Sequence, residues 1–296
     1  MQRDLDALWR FVLRRPIEPA ELQSTEERLA EGMSYASLLQ ELATSAEFEH
    51  LRRLEDGVAQ AAALRRSGER PRNLEAPPGV DERPIEIPWC LARIGPDERV
   101  LDIGYAFAEP VYLEGLGELG NVTGVDLVLR EVPGLESVQA DLRDLPFENE
   151  SFDVAVAIST LEHVGRDNTQ YGLNAEEGDT LDVALRELRR VAKRVLVTVP
   201  TGERELLAEQ SVYEPSEWID RFTRAGFAVF EDELYELGPD GWRSVLELTP
   251  GIRYGTRGPG ASAVLCAELH PGTIGEKLRL ALRDVRYRHD VRRVTG

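Results

Sequence analysis

Three aspartates each stand at the end of a short apolar segment. Asp102, Asp126 and Asp141 close segments that begin near residues 99, 122 and 137. In an open α/β sheet, ligands bind in the crevice beyond the carboxyl ends of the strands, so the three carboxylates are expected to face one crevice. An acidic residue about 20 positions beyond the first turn is placed to accept hydrogen bonds from ribose hydroxyls. The spacing of these aspartates therefore predicts a nucleoside ligand.

A histidine follows the fourth apolar segment directly. Residues 152–158 lead into Ser159 and, after one short turn, into His163. Imidazole titrates near neutral pH, which makes His163 the candidate proton acceptor at the same crevice. The alternative is a structural histidine that caps a short helix at this place. Glu162 and Tyr171 are weaker candidates for the proton acceptor.

The elements that must position these residues alternate between strand and helix. Residues 99–103 read as a buried strand, Gly104 as a tight turn, and Pro110 as the first residue of a helix. Further strands are predicted at 122–126, 137–141, 152–158, 194–200, 227–235 and 261–270. Residues 238–242 are predicted to lie in the connection between the last two strands. The order predicts an open α/β sheet.

The ordered set of motifs resembles class I S-adenosylmethionine-dependent methyltransferases over roughly residues 85–270. The residues that carry the resemblance are Leu101-Asp102-Ile103-Gly104, Val125-Asp126, and the segments 140–147 and 151–164. The resemblance implies a doubly wound, Rossmann-like, mostly parallel seven-stranded sheet. Its last two strands, 227–235 and 261–270, would form an antiparallel hairpin at one edge.

The resemblance also implies a site for the cofactor S-adenosylmethionine. Residues at four successive strand ends would contact its amino-acid end, its ribose, its adenine and its sulfonium. These are Asp102, Gly104, Tyr105, Asp126, Leu127, Asp141, Leu142, Ile158 and Ser159. In such an enzyme His163 would be the catalytic residue, because methylation of an oxygen requires removal of the acceptor's proton.

Two alanines depart from the family's glycine-rich turn. Ala106 and Ala108 stand where further glycines are usual, and each methyl group narrows the room for a cofactor. The departure keeps open an alternative function, a non-catalytic methyltransferase-like scaffold in a glycan-assembly complex. It also argues against a nicotinamide enzyme, whose pyrophosphate needs a Gly-x-Gly-x-x-Gly turn.

The first 55 residues are predicted to form a separate helical domain, followed by a linker at 56–84. Leu8 to Leu13, the segment 15–22 and the closing residues 44–48 resemble a small helical domain of unknown function from bacterial surface-layer and glycan-synthesis proteins. By analogy, this resemblance favours O-methylation of a glycan or small-molecule acceptor, as part of bacterial glycan modification. Trp242, on a glycine-flanked turn, is a candidate for stacking on a sugar ring.

Composition limits the partners and the compartment. The 296 residues carry a net charge of −19, which argues against nucleic acid as a partner. The two cysteines, Cys90 and Cys266, lie far apart, and no spacing typical of metal ligands occurs, so no metal is expected. The sequence shows neither a signal-peptide pattern nor a membrane-spanning run, and we expect a cytoplasmic protein.

The C-terminal segment 271–296 differs in charge from the rest. Between Glu276 and Arg293 it holds seven lysines and arginines against three acids, with leucines at helical spacing. This pattern predicts a basic amphipathic helix. Docking on the acidic body of the protein and contact with a membrane surface or a protein partner are the two interpretations.

Overall fold

Eight strands form one sheet in the structure, a computed structural model that describes residues 2–169, 178 and 180–272. Their order across the sheet is β3-β2-β1-β4-β5-β10-β8-β9. They are β1 Val100–Ile103, β2 Val122–Asp126, β3 Leu135–Gln139, β4 Val154–Ile158, β5 Val195–Pro200, β8 Phe227–Gly238, β9 Gly241–Val245 and β10 Ala263–Pro271. The first five are parallel, and β10 pairs antiparallel with both β5 and β8. This is the predicted Rossmann-like, mostly parallel sheet with an antiparallel edge.

Eight helices flank or precede the sheet within the described residues. They are α1 Gln2–Val12, α2 Pro19–Ala30, α3 Tyr35–Ala43, α4 Ala46–Ser67, α5 Arg83–Leu91, α6 Pro110–Gly117, α7 Leu181–Val191 and α8 Pro215–Arg224. Two short strands, β6 Glu205–Leu206 and β7 Ser211–Val212, pair with each other outside the main sheet. None of the described helices combines the length and the apolar character that crossing a membrane requires.

The predicted count of seven strands is wrong by one, because the connection at 238–242 contributes an edge strand. β9 forms a tight hairpin with β8, and Gly238 pairs with Gly241 at its turn. Gly241 has φ +111°, and a Cβ there would lie 2.1 Å from the carbonyl oxygen of Ala76. Trp242 also exchanges two backbone hydrogen bonds with Ala76, at 2.6 and 3.3 Å. The segment before the sheet therefore holds this hairpin in place.

The N-terminal helices, predicted as a separate domain, share a buried cluster with the sheet. One buried cluster contains Leu5 and Trp9 of α1, Leu54 of α4, and Val100 and Val154 of the sheet. α4 also runs without a break across the predicted boundary between residues 55 and 56. Because a hydrophobic face must be covered by some element, these helices serve as one layer of the fold.

The opposite face of the sheet has its own core. Successive side chains of a strand point to opposite faces, so Leu101 and Val197 pack with α7 and α8 while Val100 and Leu196 face the N-terminal side. The central strands are buried on both faces, as a parallel sheet between two helical layers requires. The carboxyl ends of β1, β2, β3 and β4 consequently open at one edge. The predicted C-terminal helix lies almost entirely outside the described residues.

Candidate functional site

The chain turns sharply after β1 at a residue that must be glycine. Gly104 has φ +82°, and a Cβ at this position would lie 2.6 Å from Oγ1 of Thr160. Its amide donates a hydrogen bond to the carbonyl of Val125 at 2.9 Å, which ties the turn to β2. A single helical turn, Tyr105–Phe107, follows and leads to Pro110 at the start of α6. The backbone thus passes close to the space above the strand ends.

The carboxylate of Asp126 closes this turn from the end of β2. Its Oδ2 accepts the amide of Ala106 at 3.0 Å, and its Oδ1 accepts the amide of Val128 at 3.2 Å. Burial raises the pKa of Asp126, and the backbone hydrogen bonds oppose the rise. Each carboxylate oxygen has two lone pairs, so Asp126 can still accept two hydroxyl groups of a ligand.

Asp102 lies deepest in the site, at the end of β1. It is 2% exposed, and the hydroxyl of Tyr112 on α6 donates a hydrogen bond to its Oδ2. Burial raises the pKa of Asp102 to about 7, against the effect of the Tyr112 hydrogen bond. A carboxyl group with this pKa is near half-ionised at neutral pH and would be held in its charged form by a cationic ligand.

Asp141 reaches the same site from just beyond β3. Its Oδ1 accepts a hydrogen bond from Nε of Arg143 at 2.9 Å. This hydrogen bond is the largest cause of the lowered pKa of Asp141, so the carboxylate is charged at neutral pH. Asp102, Asp126 and Asp141 all line one cavity with a volume of about 370 Å³. That volume lies in the range of ligand pockets, and the predicted convergence of the three acids is present in the structure.

The two alanines of the turn leave this cavity open. Neither Ala106 nor Ala108 has a positive φ, and Ala108 is extended, with φ −71° and ψ 159°. Glycine is therefore not required at these two positions. Ala106 is buried beneath the turn, and only Ala108 of the two is among the described residues that line the cavity.

The structure places eight of the nine predicted cofactor residues on the cavity wall. They are Asp102, Gly104, Asp126, Leu127, Asp141, Leu142, Ile158 and Ser159. Tyr105 is the exception and does not line the cavity. Its side chain is fully buried under Gly124, and its hydroxyl donates to the carbonyl of Arg130 at 2.7 Å. Tyr105 therefore supports the turn from below.

Ser159 ends β4 in a strained backbone conformation. Its φ is +42°, a region that residues other than glycine seldom adopt, and one that is often found at binding sites. The amide of Ser159 donates to the carbonyl of Thr198 at 3.0 Å, and its Oγ donates to Oε1 of Glu86 at 2.7 Å. These bonds hold the serine at the cavity wall.

His163 lines the cavity in a defined protonation state. Its Nδ1 lies 2.6 Å from the carbonyl oxygen of Glu209, which can only accept, so Nδ1 carries the proton. Nε2 then holds the lone pair of the ring. Burial is the main cause of the lowered pKa of His163, which keeps the imidazole neutral at pH 7. This is the tautomer that a proton acceptor needs.

The structure adds no support for Glu162 or Tyr171 as the proton acceptor. Glu162 is buried, and burial raises its pKa well above the ordinary value. Tyr171 lies outside the described residues. Trp242, the candidate for sugar stacking, is 1% exposed, and its Nε1 donates to the carbonyl of Val80 at 3.1 Å. It is a core residue.

Arg83, Phe107 and Tyr112 also line the cavity, although none of them is predicted from the sequence to lie at the site. A signal for Arg83 exists, because Arg83 and Glu86 stand three residues apart in an otherwise apolar helix. Charged residues in such a stretch pair with each other or serve a site. No comparable pattern marks Tyr112, whose contact with Asp102 joins a helix to a strand end.

Substitution Asp102→Asn is expected to stabilise the protein at alkaline pH. In the folded chain the pKa of Asp102 is about 7, compared with an ordinary value of 3.8. Above pH 7 the fold therefore carries a buried carboxylate, and this cost fades as the pH falls from 7 towards 3.8. The neutral, isosteric asparagine should raise the free energy of unfolding at pH 8 by roughly 2–4 kcal/mol and change it little at pH 4.

Urea denaturation of both proteins at pH 4, 6 and 8 measures this difference. The matched control is Asp144→Asn, which removes the same charge from an exposed position and should change stability by no more than about 0.5 kcal/mol at each pH. An Asp102→Asn protein that is less stable than the wild type at pH 8 would contradict the buried-charge account.

Residues 101–195 match the family model described as "Methyltransferase domain". No curated protein matches the chain. Among solved structures, one similar protein is the 1,6-didemethyltoxoflavin-N1-methyltransferase of Burkholderia thailandensis, with bound 1,6-didemethyltoxoflavin and S-adenosylhomocysteine. The similarity covers 87% of this chain and 92% of that protein, with 15% sequence identity and a TM-score of 0.42. A possible histamine N-methyltransferase from Thermotoga maritima is similar over 75% and 99%, with 16% identity and a TM-score of 0.43.

The match to the family model supports a methyltransferase domain at residues 101–195, and the cofactor that the sequence motifs imply for such a domain is S-adenosylmethionine. The residues of the cavity fit this molecule. Gly104 lines the cavity with a backbone that any side chain would push against Thr160, Asp126 offers oxygens to ribose hydroxyls, and Asp102 offers a carboxylate to an ammonium group. His163 lines the same cavity.

Proposed function

We propose that this protein transfers the methyl group of S-adenosylmethionine to a hydroxyl oxygen of a small-molecule or glycan acceptor. The observation that carries the proposal is the neutral His163, with its proton on Nδ1, in the same cavity as Asp102, Asp126 and Asp141. The cofactor, when bound, supplies an electrophilic methyl group. The chain's own residues have to hold the two reactants in line and accept the proton of the hydroxyl.

Each of these tasks has a residue in a suitable state. Asp126 holds the ribose end through a carboxylate that is itself fixed by two backbone amides. Asp102 becomes charged when it meets the ammonium group, because its pKa lies near 7. His163 accepts the proton at Nε2, and the hydrogen bond from Nδ1 to Glu209 fixes the plane of the ring. The imidazolium that results keeps this hydrogen bond.

The polar wall beside His163 supports a hydroxylated acceptor. Ser159, Thr160 and Asn168 line the cavity there and provide hydroxyl and amide groups. The resemblance of residues 1–55 to a domain of glycan-synthesis proteins supports the glycan class of acceptor by analogy. With Trp242 in the core, recognition of a sugar would depend on hydrogen bonds between its hydroxyl groups and these polar groups.

The scaffold alternative rests on Ala106, Ala108 and the short connection before Arg194. Two of these supports weaken, because neither alanine closes the cavity. A methyltransferase-like scaffold has no need for a histidine fixed in the tautomer of a proton acceptor. Catalysis is therefore the proposal that we carry forward.

Binding of S-adenosylhomocysteine tests the cofactor half of the proposal. The wild type should bind it in isothermal titration, and Asp126→Asn should bind about 10- to 100-fold more weakly, because one charged acceptor for hydroxyl groups is lost. Asparagine keeps an oxygen that accepts the amide of Ala106, so the turn should persist. The control is again Asp144→Asn. Absence of heat with folded wild-type protein at high micromolar ligand would refute the proposal.

Substitution His163→Gln tests the catalytic half. Radiolabelled S-adenosylmethionine and a panel of sugars and bacterial glycan extracts provide the assay. The variant should lose about 10²- to 10⁴-fold in kcat and keep the wild-type affinity for S-adenosylhomocysteine. In the wild type, activity should fall only below the ordinary histidine pKa of 6.5, since burial lowers the pKa of His163. This acid limb should be absent from the residual activity of the variant.

The matched control for His163→Gln is His270→Gln. His270 lies near the carboxyl end of β10. Because β10 runs antiparallel to β5, this places His270 beside the amino ends of the parallel strands, away from the cavity. Full activity of His163→Gln with any acceptor that the wild type methylates would exclude His163 as the proton acceptor.

A further inference from the structure

A half-buried arginine lines the cavity beside the proton acceptor. Arg83 is the first residue of α5, and its side chain is 31% exposed. Its Nη1 donates to Oε2 of Glu86 at 2.8 Å, and Oε1 of Glu86 accepts the hydroxyl of Ser159 at 2.7 Å. This chain of hydrogen bonds fixes the guanidinium next to the end of β4. The proposed methyl transfer gives it no task.

Arg83 belongs to the part of the cavity that holds His163. After burial and the contact with Glu209, the positive charge of Arg83 is a further influence on the pKa of His163, and it acts to lower that pKa. The second arginine among the described residues of the cavity wall, Arg143, is held by both oxygens of Asp141. It lies on the side assigned to the adenine. The two arginines therefore mark different ends of the cavity.

The hydrogen bond to Glu86 uses only one nitrogen of the Arg83 guanidinium. A guanidinium has five N–H groups, and Glu86 accepts from Nη1 alone. Glu82 lies 4.0 Å from the same nitrogen, and its Oε2 accepts the amide of Ala261 at 2.9 Å. Burial acts to lower the pKa of Arg83, but the negative charges of Glu86, Glu82 and Asp81 outweigh it and raise the pKa above its ordinary value, so the guanidinium stays charged. A permanent cation thus faces the acceptor end of the cavity.

We infer that Arg83 binds an anionic group of the methyl acceptor, a carboxylate or a phosphate, so that the substrate is an acidic hydroxyl compound such as a sugar acid or a sugar phosphate. The planar fork of arginine matches both groups, and Glu86 holds that fork in place. The inference rests on the proposed function, because it takes the His163 side of the cavity as the acceptor side.

Three probes of similar size separate charge from shape. Glucuronate carries a carboxylate, glucose 6-phosphate carries a phosphate, and glucose is neutral. Each is titrated calorimetrically into the wild-type protein saturated with S-adenosylhomocysteine. At least one of the two anions should bind about tenfold or more tightly than glucose, and the stronger of them identifies the anionic group.

Variants of Arg83 then test whether this residue causes the preference for an anion over glucose. Arg83→Gln should remove the advantage of the anion over glucose, and Arg83→Lys should retain part of it, because lysine keeps the charge and loses the fork. Arg99→Gln is the matched control, since Arg99 is 54% exposed and lies at the opposite edge of the sheet, before β1. If Arg83→Gln unfolds because Glu86 is left unpaired, the double variant Arg83→Gln, Glu86→Gln removes both partners.

The outcomes distinguish the two levels of the proposal. Failure of S-adenosylhomocysteine to bind would overturn the proposed function and this inference with it. If S-adenosylhomocysteine binds, three results would overturn the inference alone. Glucose could bind as tightly as both anions, none of the three probes could bind, or Arg83→Gln could keep the preference for the anion. The inference also fails if Arg83→Gln weakens S-adenosylhomocysteine and leaves 5′-methylthioadenosine unaffected, because Arg83 would then bind the carboxylate of the cofactor.

Discussion

The site depends on the hydrogen bond between the carboxylate of Asp126 and the amide of Ala106. This bond fixes the backbone that leaves β1 against the end of β2, at the point where Gly104 reverses the chain. Parallel strands bring their carboxyl ends together, but the ends become a binding site only when the turns above them are held open. A side-chain acceptor on one strand does this for the turn of its neighbour. The cavity is what remains between them.

Burial of charged groups is the main energetic cost of this arrangement, and the structure offsets it unevenly. Asp141 is paired with an arginine, whereas Asp102 has only a tyrosine hydroxyl and a pKa near 7. On the other side of the cavity, Glu86 is paired with Arg83 and Ser159. An acid that is left partly uncompensated in the unliganded protein gains most from a cationic ligand. Of the three aspartates at the strand ends, Asp102 is the least compensated, and it is the one proposed to bind the ammonium group.

Much of the fold could be predicted because it follows from local patterns. Apolar segments, three of which end in an aspartate, predicted strands β1 to β5 within a few residues, and eight of the nine predicted cofactor residues line the cavity. The misses arise from contacts between distant segments. Trp242 has a glycine-flanked sequence typical of an exposed turn, yet the backbone of Ala76 and the carbonyl of Val80 draw it into the core as part of β9. Tyr105 follows the turn directly and is predicted to contact the cofactor. Because Gly124 has no side chain, the Tyr105 ring packs against β2 instead.

The sequence by itself determined the order of strands and helices, the acids at the strand ends and the glycine of the first turn, because each is set by residue type and near neighbours. Only the tertiary structure decided that the N-terminal helices share the core of the sheet, that His163 carries its proton on Nδ1, and that Arg83 lines the same cavity as His163. Burial and pairing between segments far apart in the chain set these properties. A side chain's charge state and direction depend on the partners that folding brings to it.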